Sequence, residues 1–145
     1  MGFTEVVAVL PLAASVAGRR LCPCIYDAFA EKLAAAAAAL KVGNGLVDGV
    51  EQGPIIDMQG FDKVKAHVDD ALANGATLMT GGKPHALGGT YFEPTVLSGM
   101  TRDMRLFSEE TFGPVAGLFK FTDEDEAIEM ANDTEFGLAA YIFSE

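Results

Sequence analysis

The sequence predicts an α/β domain: an open, mostly parallel sheet with crossover helices. Segments whose apolar residues recur at helical spacing alternate with short runs that are apolar on both faces. Glycine or proline bounds each run. The clearest run, GPVAGLFKF at 113–121, has Lys120 as its one polar residue, as expected of a strand covered on both sides. At 145 residues, half of them hydrophobic, the chain is one domain by length and large enough for a real core.

Residues 1–24 read as an atypical N-terminal segment, and 25–145 as the domain proper. The apolar run Val6–Ala17 is interrupted by Pro11 and is too short to span a bilayer. Glu5 and no base precede it, the reverse of a secretory leader. A cytoplasmic protein with no membrane partner is expected.

From Ile25 the order is regular. Ile25, Phe29, Leu33, Ala36, Ala37 and Leu40 fall on one face of an alanine-rich helix. KVGNGLVDGVEQGPIID, 41–57, is a long glycine-punctuated connection. Asp57 can cap a second helix whose inward face is Phe61, Val64, Val68, Ala71 and Leu72. Gly75 ends that helix, and ATLMTGG reads as a short buried strand. TYFEPTVL is extended, with Pro94 at an edge or bend. After GPVAGLFKF, Thr122 with Asp125 caps a third helix through Ala131, and GLAAYIFS reads as a last strand.

Charge and cysteines limit the function classes. A net charge of −11, from 21 acids against 10 bases, repels phosphate backbones, so no nucleic-acid partner is expected. Cys22 and Cys24 are one residue apart, too close for an unstrained bridge, so reduced thiols are expected. A metal site would need further ligands. His67 and His85 lie far off without ligand spacing, so none is expected.

The segment LFSEETFGPV, 106–115, sets two glutamates and an aromatic residue before a Gly-Pro turn into the buried strand. Such a carboxylate can accept hydrogen bonds from a ribose while the ring packs on a flat cofactor. Acids before a turn can equally be a solvated loop.

SEETFGPV resembles the E-E-x-F-G-P-V motif of the aldehyde dehydrogenase superfamily, and ANDTEFGLAAYIFS its N-x-x-x-[FY]-G-L-[AS]-A segment. KVGNGLVDGVEQGPIID and GGKPHALGGTYFEPTVL resemble two further segments of that family, in its order and spacing. The wording of FAEKL, SEETFGP and NDTEFGLAAY is similar to the branch that oxidises succinate semialdehyde to succinate.

The resemblance implies a partial catalytic domain, NAD or NADP as cofactor, a small aldehyde as substrate, and homo-oligomeric relatives. It implies Glu110 on the nicotinamide ribose and Phe112 beside the nicotinamide. Asn132 and Gly137 match positions near the active centre, although Asn132 can equally cap a helix C-terminus.

Cys22 matches the family's nucleophile, whose thiolate attacks the aldehyde to give a thiohemiacetal and then a thioester; Cys24 matches the second cysteine. GRRL stands where the family has GQT, and the strand expected to leave the nucleophile is missing between the cysteines and IYDAF. Arg19 and Arg20 can lower the thiol pKa or simply be solvated. The general base, the dinucleotide-binding domain and the oligomerisation strand of the family have no counterpart in these residues. The isolated chain is therefore expected to bind cofactor weakly and to lack turnover; the alternative is a non-enzymatic remnant with a packing or binding role.

Overall fold

The structure, a computed structural model, describes residues 18–21 and 23–133. Eight elements follow in order: β1 (Gly18–Leu21), α1 (Pro23–Ala38), α2 (Met58–Ala73), β2 (Thr77–Thr80), β3 (Thr95–Met100), α3 (Arg105–Ser108), β4 (Val115–Lys120) and α4 (Glu124–Asn132). The sheet order is β1-β4-β3-β2. β1 and β3 both run parallel to β4, and β2 joins β3 antiparallel at the edge. The open, mostly parallel sheet is thus as the sequence predicts. GLAAYIFS lies outside the described residues.

β4 shows why this sheet needs helices on both faces. Val115 and Phe119 enter one apolar cluster with Phe61, Val64 and Val68 of α2. Ala116 and Leu118 enter another with Tyr26, Ala30, Ala34 and Ala37 of α1. Alternation along one strand therefore feeds two cores.

α1 is turned relative to the expected face. Its buried line is Tyr26, Ala30, Ala34 and Ala37, whereas Ala36 is exposed. Methyl side chains let the helix sit close on the sheet, and the larger Ile25, Phe29 and Leu33 pack at its flanks. The Tyr26 hydroxyl donates to Leu118 O at 2.9 Å and accepts from Gly99 N at 2.6 Å. Gly99 lies at φ +69° where the β3–β4 register shifts, so Tyr26 satisfies an amide that the bulge removes from the ladder.

Other expectations are corrected. Gly18–Leu21, within the segment read as atypical and given no element in the sequence, is a strand, because it pairs along β4. ATLMTGG is buried only at Ala76: β2 is an edge strand whose residues are exposed or half-buried. Leu72 is 37% exposed, and His67, unassigned in the sequence, is buried on α2's inward face instead. Asp57 caps α2 as expected, accepting from Gly60 N at 2.7 Å. The α4 cap falls on Asp123 rather than Thr122: Asp123 accepts from Glu126 N at 2.9 Å. The Glu126 carboxylate in turn accepts from the Thr122 amide and hydroxyl. Asn132 Nδ2 donates to Ile128 O at 2.9 Å, the local helix-end role. Cys24, expected as a reduced thiol, is disulfide-bonded; it follows Pro23, where strand turns into helix.

Candidate functional site

The segment 109–114 leads from α3 into the N-terminal end of β4. Phe112 stands out in it. Its φ is +46°, the one positive value for a non-glycine residue among the described residues. The left-handed region costs a non-glycine residue roughly 1–2 kcal/mol, so an aromatic side chain stays there only where its neighbours hold it. Its ring is nevertheless 59% exposed.

The neighbours are held from α2. On one side Thr111 is buried, and its hydroxyl lies 2.9 Å from His67 Nδ1. On the other, Gly113 lies so close to Val64 that a Cβ there would collide with Val64 Cγ2. Pro114 O then accepts from Thr95 N at 2.8 Å, tying the turn to β3.

His67 is 0% exposed, and its second nitrogen, Nε2, is 3.0 Å from Glu109 Oε2. Glu109 also receives Arg105 Nε at 2.8 Å and a second guanidinium nitrogen at 3.1 Å. These contacts, Arg105 first and His67 second, hold the Glu109 carboxyl down at about 2, so it is ionised and can only accept. Burial lowers the His67 pKa against the smaller opposing pull of Glu109, which leaves a neutral ring. The tautomer follows: Nε2–H donates to Glu109, and Nδ1 accepts from the Thr111 hydroxyl.

Glu110 differs from its neighbour. It is half-buried, and its side chain has no hydrogen bond or ion pair to a described residue. A carboxylate left with free acceptor capacity beside an outward aromatic ring suits a ligand that brings hydroxyl donors and a flat ring. Glu110 and Phe112, the two cofactor-binding candidates of the sequence, both lie on this segment between α3 and β4.

Cys22 and Gly137 lie outside the described residues. Leu21, before Cys22, pairs with Lys120 at the C-terminal end of β4, whereas the Phe112 turn enters at the N-terminal end. The sequence reading passes over His67. The signal was present: His67 follows Val64 by three residues and precedes Val68 on an apolar stripe, where a histidine needs partners for both nitrogens.

This arrangement, an α/β sheet with an acid–aromatic turn at a strand entrance, is that of a known class: the aldehyde dehydrogenase family profile matches residues 20–145. The chain belongs to the aldehyde dehydrogenase family. It is 58% identical over 120 residues to a 3-sulfolactaldehyde dehydrogenase of Pseudomonas putida, covering 83% of this chain and 25% of that one. It is 52% identical over 122 residues to the mitochondrial succinate-semialdehyde dehydrogenase of Rattus norvegicus, covering 83% and 23%. The crystal structure of succinate-semialdehyde dehydrogenase from Burkholderia pseudomallei superposes with a TM-score of 0.79 at 56% identity, over 81% of this chain and 24% of that one. The chain thus spans about a quarter of the length of the curated relatives it matches.

Proposed function

We propose that this protein supplies part of the catalytic domain of a cytoplasmic NAD(P)-dependent aldehyde dehydrogenase, acting on a small aldehyde with an anionic far end, succinate semialdehyde first among them. The observation that carries the cofactor reading is the pairing of an unpartnered, half-buried Glu110 with Phe112 held outward on a left-handed backbone. The substrate class is supported by the relatives' names: succinate, glutarate and aspartate semialdehydes carry a carboxylate, and 3-sulfolactaldehyde a sulfonate.

Glu110 would accept hydrogen bonds from the nicotinamide ribose, and Phe112 would limit the position of the nicotinamide ring from one side. The nicotinamide group, when bound, accepts the hydride of the aldehyde carbon. Glu109, ionised and engaged by Arg105 and His67, leaves Glu110 as the acceptor of the pair.

The nucleophile is the open step. In this family a strand leaves the nucleophile, and β1 is a strand whose N-terminal end lies toward the Phe112 end of β4. That favours a thiol before Gly18, where residues 1–17 hold no cysteine. Cys22 would have to act from the other end of β1. These two facts favour a second reading, a chain that binds cofactor without turnover.

One experiment separates them: NAD⁺ and NADP⁺ titration, then NAD(P)H formation from succinate and glutarate semialdehydes with thiols kept reduced. Wild type, Cys22→Ala and Glu110→Gln are compared. Turnover lost in Cys22→Ala establishes the cysteine; cofactor binding without turnover establishes the second reading. Binding unaltered in Glu110→Gln removes the ribose assignment.

A further inference from the structure

One stripe of α2 holds the whole segment from α3 to β4. Val64, His67 and Asp70 are spaced three residues apart, so they lie along one face of the helix. Val64 packs against Gly113. His67 reaches Thr111 and Glu109. Asp70 Oδ2 accepts from Arg105 N at 2.9 Å, fixing the start of α3. Three successive side chains thus engage residues 113, 111 with 109, and 105 in turn.

We propose that His67 is a positioning residue for the cofactor-facing turn: its buried ring bridges Glu109 and Thr111, which flank Glu110, and so fixes how Glu110 and Phe112 are presented. The cofactor part of this statement rests on the reading of Glu110 and Phe112 given above. The ring is suited to the task because it is a donor on one side and an acceptor on the other. It meets one group that can only accept and one hydroxyl that can donate. An apolar residue of similar volume would fill the same buried space but leave the buried Thr111 hydroxyl without its partner. Nothing else described on the turn restrains Thr111 from the side chain, so the left-handed Phe112 would lose one of its two anchors.

The test compares wild type with His67→Phe, which removes both hydrogen bonds, and His67→Gln, whose amide can place an N–H where Nε2 stands but has no acceptor at the Nδ1 position that faces Thr111. Amide hydrogen exchange of residues 110–112 is measured on the purified protein without ligand, beside that of α1. Nicotinamide mononucleotide affinity is measured by calorimetry. Exchange at 110–112 should rise about tenfold in His67→Phe, corresponding to one lost buried hydrogen bond of about 1.4 kcal/mol. It should rise less in His67→Gln, with α1 protection unchanged in both. Mononucleotide affinity should fall in the same order. Unchanged exchange at 110–112 in His67→Phe overturns the proposal. Should His67→Phe not fold, Thr111→Val, which deletes only the bridging hydroxyl, is read in the same way. A wild-type protein that binds no mononucleotide overturns the cofactor reading, and the exchange data then decide positioning of the turn independently.

Discussion

α1 and α2 are each sixteen residues long and cover opposite faces of one sheet, yet they do so by different physics. α1 packs with alanine methyls and one tyrosine whose hydroxyl serves the β3–β4 ladder. α2 packs with Phe61, Val64 and Val68 but also buries a histidine. An apolar contact is non-directional and tolerates exchange at constant volume. A buried hydrogen-bonded ring has a direction, and it transmits that direction to whatever it bonds. The α1 face therefore supports the sheet, whereas the α2 face also sets the geometry of a turn. The strained Phe112 lies on the α2 side.

Four substitutions break or sharpen this contrast. Leu118→Ala, in the fully buried α1-side core, should cost about 2–5 kcal/mol. A urea midpoint reads it, and nicotinamide mononucleotide affinity of the folded fraction should not change. Gly113→Ala places a methyl against Val64 and should cost about 1–3 kcal/mol. Here affinity should fall as well, because the methyl displaces the anchor of Phe112; unchanged affinity would mean that the anchor is not needed.

Phe112→Gly should act in the opposite sense on stability. It relieves the left-handed backbone at φ +46° while removing an exposed ring, so thermal unfolding should report a gain of about 1 kcal/mol. Ligand affinity should drop, the signature of strain retained for function.

Glu109→Gln should have the smallest effect, present at neutral pH and fading in acid. The Glu109 carboxyl is held at about 2 against an ordinary 4.5. Its contribution is therefore present above 4.5 and lost as pH falls from 4.5 toward 2. Denaturation followed across that window should show a steeper loss for wild type than for Glu109→Gln. Parallel curves would remove Arg105 and His67 as partners of this carboxylate.

Much of this was legible from residues alone. The inward stripe of α2 at Phe61, Val64, Val68 and Ala71, the Asp57 cap, and β4 as a doubly covered strand all follow from local periodicity and capping chemistry. The candidate pair Glu110 and Phe112 was visible as a motif before a Gly-Pro turn. Misread parts have a common cause. The face of α1, the exposure of β2 and the strand at Gly18–Leu21 depend on what lies across the sheet, not on the segment itself.

The sequence by itself determined α1, α2, α4 and the strands β2 to β4, and which turn carries an acid near an aromatic residue, because these are encoded within a few residues of one another. Only the tertiary structure decided that His67 meets Glu109 and Thr111, contacts 42 and 44 residues apart in the chain. A buried histidine announces that it needs two partners; nothing local says which. The packing of α2 against the entrance of β4 chooses them.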